Sequence, residues 1–449
     1  IRFVLENGAF DRARVDESIT GFERMEKGAQ PWSVDKVAQA TGLSEDAVTA
    51  FYRTLAESPR TIIWMGGCLS RYTNGLQSIR AIIALQALRD NLIGSGRGLL
   101  TMEGGKPEGE KEFVDAVCGP AKDSGVNFRR LLNTMKKGNL DVLFLNSSYR
   151  RYPDCTGVAE AIKKVGFVVH RGFFKTEEMD VADLFVPAAF GPESAGSHYG
   201  AEKQVVWRDK CVDAPGSCVP DWQFYRDIGR KLAPEIYPDF TGPEELSERF
   251  RNTVPSWKAM SVSRMRQSPD GLIWPQPEEG AQERIGTVFT SGTYATENGK
   301  IPLDLKLMGA FGWTPPKGNP HGAGADKEYP LVLTQGKVVT QWQQTMTNFA
   351  ASLAQFSRGR YVLVHPDTAK PLGIAHGDTV RTKTATGSVE AVAELTASIR
   401  PGIIFTPSHF TGTSPHAATR SKPINAILPN YWDRVSAQFN GVGCTLEKA

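Results

Sequence analysis

Apolar positions recur along this chain first at helical spacing and then, further on, in short β-rich runs. Over residues 1–60 the pattern is helical. Ser33 or Asp35 caps a helix that ends at Gly42. Ser44 caps the next, which carries Ala47, Val48, Phe51 and Leu55. Residues 61–65 (TIIWM) predict a strand. Gly66-Gly67 after it predicts a tight turn where backbone approaches a ligand. Asn74 caps a helix with Leu76, Ile79, Ile83, Leu85 and Leu88 on its apolar side, ending near Gly94. Residues 94–109 (GSGRGLLTMEGGKPEG) are glycine-rich and predict a loop, long for a mere connection.

The middle of the chain alternates. Residues 142–145, 167–170 and 184–186 read as strands, residues 158–164 as a helix, and Asp221–Leu232 as another helix. Alternation of this kind argues for a parallel sheet with crossover helices, an α/β fold. Residues 236–330 collect proline, glycine and charge, including Trp274-Pro275-Gln276-Pro277, and predict an irregular connecting region. From residue 331 short strands dominate: 331–334, 361–364 and a two-strand ribbon with Thr386-Gly387 at its tip. They fit a small β-barrel. No internal repeat or low-complexity tract is visible.

A length of 449 residues exceeds one core and argues for about two to four domains. The net charge of +3 is too small to argue for a nucleic-acid partner or an anionic membrane surface. No apolar run reaches the ~18–20 residues that span a bilayer. The opening, Ile1-Arg2-Phe3-Val4-Leu5-Glu6, has no methionine, no signal pattern and no cap. It reads as a helix entered midway, so a fragment or split subunit is expected, and the compartment stays open. Cys68, Cys118, Cys155, Cys211, Cys218 and Cys444 contain no C-x-x-C pair, which argues against zinc or iron–sulfur ligation within the chain. Spacing does not decide whether a disulfide such as Cys211–Cys218 forms.

Open parallel sheets bind ligands at the carboxyl ends of their strands. At one such end, Leu145-Asn146-Ser147-Ser148-Tyr149-Arg150-Arg151 offers amide, hydroxyl and backbone N–H groups that suit a pyrophosphate. A surface turn with two solvated arginines is the alternative. A second end is His170-Arg171-Gly172-Phe173-Phe174-Lys175-Thr176-Glu177. A third combines Gly336-Lys337 with Gln341-Trp342-Gln343-Gln344-Thr345-Met346-Thr347.

Residues 331–405 closely resemble the C-terminal domain of the molybdopterin-guanine-dinucleotide oxidoreductases, the DMSO reductase superfamily of formate dehydrogenase, nitrate reductase and arsenite oxidase. Residues 182–189 (ADLFVPAA) resemble that family's ADVVLP run. Ser408-His409-Phe410 and Asn425-Ala426-Ile427-Leu428 resemble its HW and N-x-L-T positions. The resemblance implies parallel-sheet dinucleotide-binding domains followed by a C-terminal six-stranded barrel of the double-psi type. It implies the divisions 1–110 (the second half of a Rossmann-like domain), 111–235, 236–330 and 331–449. It also implies a bis-molybdopterin guanine dinucleotide with molybdenum or tungsten. The cofactor contacts would be Gly66, Gly67, Asn146, Ser147, Ser148, Phe174, Thr176, Glu177, Asp183, Gly336, Lys337, Gln341, Trp342, Gln343, Thr345, Thr347, His409 and Asn425. A carboxylate such as that of Glu177 accepts well from the N1–H and 2-amino edge of guanine or from ribose hydroxyls.

In that family the iron–sulfur cysteines and the Cys, selenocysteine or Ser ligand of the metal precede the region seen here. No metal ligand is therefore expected in this chain, and an iron–sulfur cluster is expected on a missing segment or partner. The expected partners are an iron–sulfur electron-transfer subunit, a membrane quinone-reactive subunit and a small, anionic substrate.

Several positions depart from the family pattern. Lys337 replaces an arginine and cannot supply its planar fork. Gln341 and Gln343 replace two histidines. The arginine that would pair with formate falls at Met102, and the Gly104-Gly105-Lys106-Pro107-Glu108-Gly109 spacing is closer to arsenite oxidases. Lys106 is the substrate-facing candidate, against the alternative of a solvated loop lysine. The family's G-E-N-P becomes Leu145-Asn146-Ser147, and its G-T-x-T-N-x-E-R-R becomes Gly196–Gln204 in altered form. These departures support a second expectation: a cofactor-free subunit with a structural or electron-transfer role in a membrane quinone oxidoreductase complex.

Overall fold

The computed structural model describes residues 1–71, 75–101, 107–120, 126–146, 155–200, 203–237, 239–279, 294, 296–303, 325–341, 346–429 and 441–449. The chain divides into two compact units: residues 1–120, 196–208 and 240–315 form the first, and residues 121–195, 209–239 and 316–449 the second.

The first unit begins with helices where the caps place them. Ser33 precedes Val34–Thr41, and Gly42 ends that helix at φ +71, a conformation that only glycine adopts cheaply. The Ser44 hydroxyl accepts the Ala47 N–H at 3.2 Å and opens Glu45–Glu57. Helix Gly75–Leu88 stops six residues before the expected Gly94. Gln86, buried near its end, reaches across to the neighbouring backbone. Its amide donates to Thr61 O at 3.0 Å and Gly98 O at 2.9 Å. Those bonds draw Gly98–Thr101 against Ile62–Met65 as a parallel strand pair, so the expected 94–109 loop contains a strand.

Residues 243–267, expected to be irregular, form helices Pro243–Thr253 and Val262–Gln267. Pro243 lies in the first helical turn, where its missing N–H costs nothing. A hairpin of Gly196–Tyr199 and Gln204–Arg208 carries Leu272–Ile273 as a third strand. Buried Met260 and Met265 fill its core with Trp207, Trp257 and Trp274 packed around them.

The second unit has two layers of construction. Its α/β part contains α1 (Phe128–Lys136), β1 (Val142–Asn146), α2 (Val158–Ile162), β2 (Phe167–Gly172), β3 (Leu184–Pro187) and α3 (Asp221–Leu232). The three strands are parallel in the order β1–β2–β3. Leu132, Met135, Leu145, Val158, Ile162 and Val168 form the core between α1, α2 and the sheet. The Asn127 side chain caps α1 by accepting the Arg130 N–H at 3.0 Å.

The remainder is a closed barrel of β4 (Leu331–Gly336), β5 (Tyr361–Val364), β6 (Thr379–Thr384), β7 (Gly387–Leu395), β8 (Ile403–Pro407) and β9 (Val442–Lys448). Its strand order is β4–β8–β5–β7–β6–β9, with β9 returning to β4. Alternate residues of each strand point inward, and Val362, Val364, Ala393 and Ile404 are wholly buried. Burying each Val or Ile side chain contributes roughly 1.5–3 kcal/mol. Cys211 and Cys218 are free thiols, so the disulfide left open by their spacing does not form. Among the described residues no helix is long and apolar enough to cross a membrane.

Candidate functional site

In the second unit, the carboxyl ends of β1 and β2 and the barrel loops after β4 and β8 gather buried polar groups. Strand β1 ends at Asn146, which pairs in register with Arg171 of β2. The Asn146 side chain hydrogen-bonds Tyr225 of α3, whose hydroxyl pKa burial pushes up. Arg171 is 1% exposed; its Nε donates to Asp221 Oδ1 at 2.7 Å and its Nη2 to Val219 O at 2.5 Å, while Nη1 has no partner. The adjacent His170 is completely buried. Its Nδ1 meets Leu145 O at 3.1 Å and its Nε2 meets nothing; burial lowers its pKa.

Beyond β2, Phe174 stacks flat on Phe349 with centroids 4.7 Å apart. Thr176 is buried with its hydroxyl unpartnered. Glu177 divides its two oxygens. One accepts the Thr411 hydroxyl, the Gly412 N–H at 3.0 Å and the Thr413 N–H at 3.4 Å; the other is buried without a partner. Asp183 behaves differently. Its carboxylate accepts the Val168 N–H at 2.7 Å, which fixes the approach to β3.

The barrel contributes a matching set. Gly336 O at the end of β4 accepts the Ser408 N–H at 3.0 Å, and a Cβ at Gly336 would stand 3.1 Å from the Phe405 ring. Lys337 is exposed. Gln335 donates to Asn425 Oδ1 at 3.2 Å and keeps its own buried Oε1 unpaired. Gln341 accepts the Thr347 hydroxyl and leaves its Nε2 unpaired. Asn348, fully buried, donates to His409 O at 2.5 Å and leaves its Oδ1 unpaired. His409 stacks on Phe410 with centroids 4.3 Å apart. A cavity of about 290 Å³ opens beside His409, between Thr340, Arg358 and Tyr361.

A buried polar atom without a partner costs about 1–3 kcal/mol. Here the concentration is chemically mixed: acceptors on Glu177, Gln335 and Asn348, donors on Gln341 and Arg171, and a Thr176 hydroxyl able to do either. The set offers both donors and acceptors, as pterin and guanine edges do. Among the described residues no cluster of three or more His, Cys, Asp or Glu side chains is placed to hold a metal.

The sequence-derived set is thus partly assembled. Asn146, Phe174, Thr176, Glu177, Gly336, Lys337, Gln341, Thr347, His409 and Asn425 lie at the strand ends and loops of the second unit. Gly66 and Gly67 belong to the first unit, and open space lies beside Gly66 where a side chain would stand. Lys106, Ser147, Ser148, Trp342, Gln343 and Thr345 lie outside the described residues. Sequence reasoning placed Arg171 at the second strand end without giving it a role, and did not single out Gln335 or Asn348.

Comparison with known proteins gives a consistent picture. Residues 35–231 match the family described as "Molybdopterin oxidoreductase", and residues 331–444 match "Molydopterin dinucleotide binding domain". The F420-dependent formate dehydrogenase subunit alpha of Methanocaldococcus jannaschii is 22% identical over 94% of this chain and 64% of its own length. The assimilatory nitrate reductase catalytic subunit of Bacillus subtilis is 23% identical over 91% of this chain and 61% of its own length. The chain therefore spans less than two thirds of these relatives. Acetylene hydratase from Pelobacter acetylenicus has the same fold over 100% of this chain and 69% of its own, with a TM-score of 0.77 at 17% identity.

Proposed function

The chain belongs to the molybdopterin oxidoreductase superfamily, and from that premise we propose that it is part of a catalytic subunit that holds a bis-molybdopterin guanine dinucleotide carrying molybdenum or tungsten. When bound, that cofactor supplies two-electron redox chemistry at its metal. The protein's own groups do the holding. Glu177 Oε2 accepts from a base or ribose edge. The Thr176 hydroxyl and Gln341 amide donate to phosphate or pterin oxygens, and Asn146 borders the pyrophosphate. Asn425, through Gln335, positions the barrel end of the crevice. Gly336 lets the Phe405 ring pack against the end of β4, where a Cβ would stand 3.1 Å from it. The Phe174–Phe349 stack walls out water.

The substrate we propose is a small anion, of which formate and nitrate are the examples in the relatives' names. Lys106 is proposed to face it. Electrons are proposed to leave through iron–sulfur centres outside these residues, on a further segment of the same subunit or on a partner subunit. One observation carries the reading: buried polar atoms of complementary kind remain unpaired at the strand ends. Folded proteins pair most buried polar groups, so a set of unpaired ones on β2, β4 and the loops after them calls for partners from a bound molecule or water.

The test is elemental analysis of the protein purified with its native subunits, together with release of guanine nucleotide by acid. Near-stoichiometric molybdenum or tungsten with guanine supports the reading. An intact complex free of both supports a cofactor-free structural subunit instead, the reading that Lys337, Gln341 and Gln343 favour by their departure from the family pattern.

A further inference from the structure

Helix α1 buries Leu132 and Met135 and turns Arg129, Arg130, Asn133 and Lys136 outward. Spacings of three and four residues place these outward positions on one side of the helix. Lys137 continues the row, and Lys163 and Lys164 join it from the end of α2. The Lys164 ammonium donates to Lys136 O at 3.1 Å, which fixes the two helix ends side by side. All six cations are exposed, and among the described residues none of them forms an ion pair. Elsewhere in this unit several arginines are matched with acids: Arg171 with Asp221, Arg230 with Asp239, Arg381 with Glu390. Nearby acid is sparse, Glu160 on α2 and Asp141 in the turn before β1.

We propose that this basic ridge docks an acidic surface of a partner protein. An uncompensated cluster of one sign costs self-repulsion, which a complementary partner relieves, and it accelerates and orients encounter. The dimensions suit a protein contact: α1 is about 14 Å long. A single-stranded nucleic acid would call for aromatic residues interleaved for stacking, and a duplex for a longer basic stripe along its phosphates. A membrane surface would bring large apolar side chains among the cations. The remaining exposed position of α1 is Asn133; Val126 before the helix and Val142 and Phe167 at the amino ends of β1 and β2 are also exposed, so the vesicle probe below separates a membrane from a protein surface. Place in the fold also matters. The ends of α1 and α2 lead into the amino ends of β1 and β2, the edge opposite the crevice. A partner seated there leaves the carboxyl edge open. The inference does not depend on the cofactor reading, because docking at the ridge requires no bound cofactor.

The experiment measures anisotropy of a labelled poly-glutamate peptide with the full chain at physiological ionic strength. Labelled duplex DNA and phosphatidylserine vesicles are the other probes. Arg130→Glu, Lys136→Glu, Lys137→Glu and Lys164→Glu combined should weaken peptide binding at least about tenfold and flatten its salt dependence. The same four positions changed to Gln should give an intermediate loss, with circular dichroism confirming the fold. Lys27→Glu with Lys36→Glu, exposed cations of the other unit, should leave binding unchanged. The proposal is overturned if the wild type fails to bind the peptide, or if the reversals leave binding intact. It is equally overturned if DNA or vesicles bind more tightly than the peptide and lose binding through the same variants.

Discussion

The carboxylate of Glu177 accepts the backbone N–H of Gly412 at 3.0 Å, joining the edge of the α/β sheet to a barrel loop 235 positions away. The same oxygen takes the Thr411 hydroxyl, so one side chain satisfies a loop that would otherwise strand its donors. Glu177→Ala should lower stability by about 1–3 kcal/mol in urea denaturation. Glu177→Gln keeps an acceptor for the loop but puts a donor where the unpaired oxygen stands. It should change stability little and cut guanine nucleotide content several-fold. A Glu177→Gln protein with full nucleotide content would remove this residue from the binding set.

His170 gives a pH signature. Burial holds its folded pKa below the ordinary 6.5. An unfolded chain takes up the proton near 6.5 and the folded chain does not, so stability present above that pH is lost as pH falls below it. The loss for one such group is at most about 1.4 kcal/mol per pH unit. His198 is lowered in the same direction by burial and by Arg208, but it is exposed, so solvent screening leaves it a smaller contribution. Urea midpoints measured at neutral pH and again about a unit below 6.5 should fall less for His170→Gln than for the wild type. Parallel curves would show that His170 is protonated equally in both states.

Cys444 lies in β9 with no exposure, and burial pushes its thiol pKa up to about 12. Thiolate is the reactive species, so this thiol is inert near neutral pH. Iodoacetamide should label exposed Cys118 and Cys211 in the folded protein and reach Cys444 only on unfolding. Peptide mass mapping reads all three at once, and equal labelling of Cys444 and Cys211 would contradict a closed barrel.

Ile404 fills the barrel interior at the β4–β8–β5 junction. Ile404→Ala should cost about 2–5 kcal/mol and Ile404→Val about 0.5–1.5. A calorimetric scan showing no change for Ile404→Ala would place this side chain outside the packed core.

Much of this architecture is legible in the sequence because local signals agree with the final packing. Ser33, Gly42 and Ser44 mark helix ends, and the helix expected over Asp221–Leu232 has those bounds in the structure. Residue 331 onward reads as barrel because alternation at period two matches a sheet with one buried face. The misreadings share a cause. Gly98–Thr101 is a strand through its parallel pairing with Ile62–Met65, a long-range contact that Gln86 on a helix braces by bonding Gly98 O. Pro243 looks like punctuation in a proline-rich stretch, yet a proline in the first turn begins a helix. At the site, Thr176 and Glu177 stand out by resemblance. Gln335 and Asn348 do not, because a glutamine or asparagine is ordinary in sequence and becomes informative only once burial denies it water.

Strand β9 closes the barrel by pairing with both β4 and β6. During synthesis the ribosome releases β1, β2 and Glu177 long before residues 411–413, and releases β9 after all of them. The sheet edge therefore exists as an unroofed surface while the barrel strands are still being made, and long-range closures of this kind are slow. Closing the barrel thus waits on a strand made after all its neighbours, and a change in β9 should slow the last step of folding rather than the first.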